Sequence, residues 1–235
     1  MMALLKVEQV ETHIGQHHIL QGLSFEAKAG EITVLFGRNG AGKTTTLRTV
    51  MGILKPSAGR IFFEGREIGG RPTYEIARLG IGYVPEDQGL FYDLTVEETM
   101  KVAMVKRDAA ALERLDWMLE LFPDLKKFWR RKSGLLSGGQ KQMLAIARAY
   151  IKENKLLLID EPSKGLAPIV VEKVMEAILK IKERISVVLV EQNFMMASRI
   201  GDTFYIIDDG RVVRSGAMQE IREDSEMRTK YLGIA

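Results

Sequence analysis

The segment EITVLFGRNGAGKTTTLRTVMGIL (31–54) restricts the fold more than any other part of the chain. Four of its first six residues are apolar and a glycine follows them, and the residues after Lys43 carry helical spacing. That pattern reads as a buried strand, a tight loop and a helix. Within it, GRNGAGKT (37–44) has two glycines bracketing four residues before Lys-Thr, the spacing of a phosphate-binding loop in its proper context. Gly37, Gly40 and Gly42 leave bare backbone N–H groups free to wrap a phosphate. Lys43 supplies a mobile cation for β- and γ-phosphates, and Thr44 offers a hydroxyl to Mg²⁺. Arg38, Asn39, Ala41 and Thr45 complete the cradle. The segment therefore implies a nucleoside triphosphate as ligand.

A second acidic signature lies in LLLIDEP (156–162). Four apolar residues followed by an acid describe a buried strand whose Asp160 reaches the C-terminal edge of a parallel sheet, where ligands collect. Beside a phosphate loop, that Asp is expected to hold Mg²⁺. Glu161 follows directly and points the other way, so it is placed to orient or deprotonate a water.

The rest of the chain fits an α/β reading. LLKVEQVETH (4–13) alternates as a strand, HILQGLSFEAKAG leads to a turn at Ala29-Gly30, and GRIFFEGREI (59–68) forms a hairpin-like pair. LGIGYVPE (79–86) and ISVVLVEQN (185–193) are further buried strands, and TFYIIDDGRVVRSG turns at Asp209-Gly210. From 88 to 150 the pattern is helical: Leu112, Leu115, Met118, Leu119 and Phe122 are expected to share one packed face, with Pro123 as the stop. PDLKKFWRRKSG then reads as a charged connector. One domain of 235 residues is expected, with 1–87 and 151–235 forming the nucleotide-binding core and 88–150 a helical subdomain.

LSGGQ (136–140) is a second flexible turn opening a helix, hence a second anion cradle in a chain that already has one. GRNGAGKTT, LSGGQ and LLLIDEP together resemble the nucleotide-binding subunits of ABC transporters, and the resemblance covers essentially the whole chain. It implies a P-loop NTPase (RecA-like) core with an N-terminal antiparallel β subdomain and an α-helical insert. It also implies ATP and Mg²⁺ as cofactors and ATP hydrolysis as the activity. Two such subunits, identical or paralogous, would stack head to tail, so that Ser137, Gly138, Gly139 and Gln140 of one close over the γ-phosphate held by the other. Ser137 is expected to cap its own helix as well.

Several positions depart from the common family pattern. Ile14, with His13 beside it, stands where an adenine-stacking aromatic is usual, and Glu86 replaces a Gln that approaches the metal or its waters. Ala167 replaces a common Asp, and Gln192 replaces a common His beside the γ-phosphate. VPE, GLAP and LVEQN together resemble the branched-chain amino-acid importer ATPases and their amide and urea relatives. That likeness implies transmembrane permease subunits as partners, a substrate-binding protein as an indirect one, and a place on the cytoplasmic face of the membrane. Leu90, Phe91 and Tyr92, in the loop after Glu86, are expected to be exposed where a permease helix would dock.

Composition excludes other chemistry. With no Cys there is no thiolate ligand, nucleophile or disulfide, and the three His lie together at 13, 17 and 18 without metal spacing. A formal net charge of +3 and no Lys/Arg run longer than WRRK argue against a nucleic-acid tract. The alternative, a soluble ABC ATPase acting on nucleic acid or ribosomes, belongs with fused double cassettes or coiled-coil inserts, and this chain has one cassette and a short insert. No apolar run approaches the roughly 18 residues of a spanning helix, so any membrane role runs through a partner.

Overall fold

The computed structural model describes residues 3–233. Alternation at the N-terminus builds an antiparallel sheet. Strand β1 (Ala3–Ile14) pairs with β2 (His17–Lys28) on one side and β4 (Ala58–Phe63) on the other, and β4 turns onto β5 (Arg66–Glu67). Its alternate residues Leu5, Val7, Leu23 and Phe25 are buried while their neighbours face outward.

The continuous apolar runs behave differently. Strands β3 (Ile32–Phe36), β6 (Ile81–Val84), β7 (Leu156–Asp160), β8 (Ser186–Val190) and β9 (Thr203–Asp208) run parallel in a second sheet. The order is β10-β9-β3-β8-β7-β6, with β10 (Arg211–Ala217) antiparallel at the edge. Every residue of β3, β7 and β8 is buried because both faces are covered. Ile32, Val34, Leu157, Ile159, Val187 and Leu189 enter one core with the larger helices. Leu35, Leu156, Leu158, Val188 and Val190 enter the other, beneath the antiparallel sheet and helix α1 (Lys43–Val50). This alternation decides which side each strand end presents its last side chain to.

Helix α2 (Thr73–Arg78) precedes β6. Helices α3 (Val96–Ala103), α4 (Ala109–Leu121), α5 (Pro123–Lys127) and α6 (Gly138–Tyr150) then fill the chain between β6 and β7. Helix α7 (Pro168–Lys182) links β7 to β8, α8 (Phe194–Ile200) links β8 to β9, and α9 (Met218–Glu223) and α10 (Ser225–Met227) follow β10. Capping boxes start α3 (Thr95 with Glu98) and α6 (Ser137 with Gln140); such a cap stabilises a helix by about 1 kcal/mol. Pro123 ends α4 but also begins α5, so the expected connector contains a helical turn.

Two side chains depart from their expected environment. The buried stripe of α4 runs Ala111, Leu115, Met118 and Phe122, which leaves Leu112 one residue off it and 47% exposed. Leu90 is packed into the helical core, whereas Phe91 and Tyr92 stand exposed as expected.

Candidate functional site

Strand β3 delivers the chain into the 37–42 loop, and α1 leaves it at Lys43. Glycine is required at 37, because a Cβ there would fall 2.4 Å from the Ile207 carbonyl oxygen of the neighbouring strand. Gly42 caps α1 in a left-handed conformation at φ 106°, which directs the first N–H groups of the helix into the loop. The Lys43 ammonium is buried and donates to the carbonyls of Gly37 and Arg38 at 2.9 and 3.1 Å. It also lies 3.3 Å from Glu161 Oε1. A cleft of about 270 Å³ opens over the loop, lined by Asn39, Gly40, Gly42, Lys43, Thr44, Thr45, Ile19, Glu86, Glu161 and Lys164.

Asp160 is fully buried at the end of β7. It shares its face of the sheet with Leu156 and Leu158, the α1 side, so its Oδ1 accepts from the Thr44 hydroxyl at 3.1 Å. The Tyr83 hydroxyl donates to Oδ2 at 3.4 Å. Burial pushes the Asp160 carboxyl up to about 6, Glu161 and Glu86 add to the rise, and the Thr44 hydrogen bond opposes it. Burial beside that carboxylate likewise raises Tyr83, which is a neutral hydroxyl at ordinary pH. Thr44 and Asp160 form an oxygen pair suited to a hard divalent ion. Among the described residues no three acid, His or Cys side chains converge as a metal-binding group. A partial protein shell of this kind fits Mg²⁺, which keeps its waters and takes phosphate oxygens.

Glu161 turns out of β7 with φ 45°, a strained value for a side chain with a Cβ. Its N–H bonds the Val190 carbonyl at 2.9 Å, which ties it to β8. Gln192, just beyond β8, donates from Nε2 to Glu161 Oε1 at 2.7 Å and to the Asn39 side-chain oxygen. Lys43, Asn39, Glu161 and Gln192 thus meet around one point, contributed by three separate loops. Glu86 also faces the cleft, but its carboxylate is held by the Lys164 ammonium. The hydrogen bond and charge of Glu86 raise Lys164 above the ordinary lysine value. Arg38 turns away, its guanidinium reaching the Lys230 carbonyl at 3.5 Å, and Ala41 is buried in the core beside the loop.

The LSGGQ signature stretch (136–140) is elsewhere. Ser137 Oγ accepts from the Gln140 N–H at 3.3 Å, and Gln140 Oε1 accepts from the Ser137 N–H at 3.0 Å. The glycine at 139 sits against α7, where a Cβ would meet Val170 Cγ1 at 2.5 Å. None of Ser137, Gly138, Gly139 and Gln140 lines the cleft over the phosphate loop.

Two residues absent from the sequence reading join the site, Tyr83 and Lys164, and a third, Glu191, lies behind it. Glu191 is 1% exposed and accepts three backbone N–H groups. Ser163 reaches its Oε1 at 2.9 Å, while Gln192 and Asn193 reach its Oε2 at 3.0 and 2.9 Å. Burial raises its pKa, against the opposing pull of those donors. The signal was present: VVLVE repeats the apolar-run-then-acid pattern that singled out LLLID.

Comparisons with known proteins bear on the family. The sequence pattern of the ABC transporter family matches residues 20–164. The high-affinity branched-chain amino acid transport ATP-binding protein BraG of Pseudomonas aeruginosa is 40% identical, over 98% of this chain and 100% of that one. A probable branched-chain amino acid transport ATP-binding protein, LivF of Archaeoglobus fulgidus, is 35% identical over 98% and 99%. The lipopolysaccharide export system ATP-binding protein LptB of Escherichia coli K12 is 32% identical over 99% and 98%. Among solved structures, a nucleotide-free ATP-binding cassette superimposes with a TM-score of 0.84 at 24% identity, covering 96% of this chain and 97% of that one. The dimeric cassette MJ0796 gives 0.78 at 27% identity, over 91% and 98%. With phosphate loop, acidic strand end and signature helix on one P-loop NTPase fold, the chain belongs to the ABC transporter family as an ATP-binding, ATP-hydrolysing subunit.

Proposed function

We propose that this chain powers an importer of branched-chain amino acids or related small polar solutes, working on the cytoplasmic face of the membrane. The observation that carries the solute class is the 40% identity to BraG along the whole of both chains. Two copies, or this chain and a paralogue, pair, as the dimeric state of the MJ0796 cassette supports, and the family resemblance implies that they stack head to tail. Ser137, Gly138, Gly139 and Gln140 of one subunit then close on the γ-phosphate held at residues 37–45 of the other.

The roles within the site follow from its geometry. The loop from Gly37 to Thr45 cradles the phosphates, and Lys43 exchanges its carbonyl partners for β- and γ-oxygens. Thr44 and Asp160 would hold Mg²⁺, with Glu86 reaching its waters after leaving Lys164; the ion would neutralise developing phosphate charge. Glu161 is the general base. Its Oε1 is occupied by Lys43 and Gln192, and Oε2, which has the Lys164 ammonium 3.9 Å away, takes the proton from the attacking water. Gln192 fixes the carboxylate with one N–H and turns the other from Asn39 to the γ-phosphate.

Permease subunits would dock beside the loop that follows Glu86. A groove of about 400 Å³ there is lined by Ile53, Phe91, Val102 and Val105 among others. Phe91 is 66% exposed and Val105 82%, an apolar patch that fits a helix from a membrane partner. No helix among the described residues is long and apolar enough to cross a membrane itself. A substrate-binding protein would deliver the solute on the far side.

The likeness to LptB favours a second reading, an export ATPase for a lipid-linked glycan. Purifying the tagged chain with its membrane subunits, and reconstituting the complex in proteoliposomes, separates the two. ATP-dependent leucine uptake supports the importer. Lipopolysaccharide extraction without amino-acid uptake would replace it with the exporter.

A further inference from the structure

We propose that Glu191 is a positioning residue that staples the loop after β7 to the loop after β8 and so fixes Gln192 against Glu161. The proposal rests on the roles assigned above to Glu161 and Gln192. Parallel pairing sets the heights: Asp160 is in register with Val190, so Glu161 and Glu191 occupy the next rung. The period-two alternation of β8 then separates their tasks. Val188 and Val190 face the α1 side, while Val187 and Leu189 face the helical core, so Glu191 shares the side opposite to the cleft. It cannot reach a nucleotide on the phosphate loop from there.

It reaches both loops instead. One carboxylate oxygen accepts Ser163 N–H at 2.9 Å, two residues beyond Glu161. The other accepts Gln192 and Asn193 N–H at 3.0 and 2.9 Å. A buried carboxylate holding three N–H groups is a rigid joint, since each donor would otherwise be an orphan away from water. The bridged segments include the two residues whose side chains meet at 2.7 Å, Glu161 and Gln192. Asn193 also caps α8 through its side chain, so the staple continues into the next helix. Tilting either loop by a fraction of an ångström would part Gln192 from the base while leaving Lys43, on its separate loop, untouched.

The test compares Glu191→Gln, Glu191→Asp and Gln192→Ala in the full chain, with hydrolysis measured in the assembled transporter. Gln keeps one acceptor for Ser163 but turns an NH₂ group toward the Gln192 and Asn193 N–H groups. Asp keeps the charge and loses reach. Both should raise amide exchange at Ser163, Gln192 and Asn193 about tenfold or more, without raising it in β7 or β8. Mg·ATP affinity by calorimetry should stay within about twofold, while kcat falls about tenfold. Adding Glu191→Gln to Gln192→Ala should change kcat by less than about twofold, because a residue acting through Gln192 has nothing left to act on. Unchanged exchange in the single variants, or equal losses of affinity and kcat, overturns the staple. So does a double variant whose losses multiply. If Gln192→Ala alone hydrolyses at the wild-type rate, the role of Gln192 fails first, and the exchange measurement still judges the staple.

Discussion

Replacing Asp160 with Asn should stabilise the chain while removing the carboxylate proposed to hold Mg²⁺. The carboxyl is fully buried and raised from the ordinary 3.8 to about 6, chiefly by burial. That displacement of roughly two pH units corresponds to about 3 kcal/mol, the amount by which folding disfavours the ionised form. The sign is set by proton binding. Between about pH 4 and 6 the folded state holds a proton that the unfolded chain has lost, so stability is greatest below about pH 4 and falls as pH rises through about 6. Asn cannot ionise. Its side-chain oxygen keeps the Thr44 hydroxyl, and its NH₂ meets the Tyr83 oxygen, so neither hydrogen bond is orphaned. In urea unfolding with chelator and without nucleotide, Asp160→Asn should exceed the wild type by about 1–3 kcal/mol at pH 8. The gap should close toward pH 4, and Mg·ATP should protect the variant far less than the wild type. A variant that is no more stable at pH 8, or whose advantage is independent of pH, would show that burial does not destabilise this carboxylate.

Lys43→Ala should weaken ATP binding by about two orders of magnitude or more in a calorimetric titration, because Lys164, the other cation lining the cleft, is held by Glu86, and Glu161 loses a buried partner. Glu161→Gln should still bind ATP and hold two subunits together in gel filtration, while phosphate release falls about a hundredfold or more. Phe91→Glu should abolish co-purification with membrane subunits yet leave ATP affinity within about twofold; normal assembly would remove the groove from the docking surface. Gln192→Ala should slow hydrolysis without loss of nucleotide binding, and Gln192→His should add a pH limb near 6.5 to the rate profile that the wild type lacks.

The sequence was most legible where a single strand or loop carries its own explanation. The continuous runs in β3, β7 and β8 announced a sheet covered on both faces, and the glycine spacing announced the loop between β3 and α1. Ser137 before a helical run was legible as a cap, and the structure adds Gln140 as the other half of a capping box. What depends on the exact helix phase was less legible. A stripe read through Leu112 instead of Ala111 differs by one residue, and a spacing of three or four from Leu115 accommodates either. Only the position of the neighbouring helices decides between them. Leu90 was misplaced for a different reason: three consecutive apolar residues in a loop cannot all point one way, and the core claims one of them.

Glu191 and Asp160 show what strand pattern can add when it is applied twice. Both follow an apolar run at the C-terminal edge of adjacent parallel strands, and by composition alone they are equivalent. Parity separates them, because Asp160 is the fifth residue of β7 and Glu191 would be the sixth of β8, in a register that pairs Asp160 with Val190. One rung of displacement turns Asp160 toward Thr44 and the phosphate loop, and Glu191 toward the backbone of Ser163 and Asn193. An acid that meets a hydroxyl beside a cleft can hold a metal. An acid that meets three N–H groups inside a core can only hold protein. The difference between binding the ligand and positioning what acts on it is here a single residue of strand register.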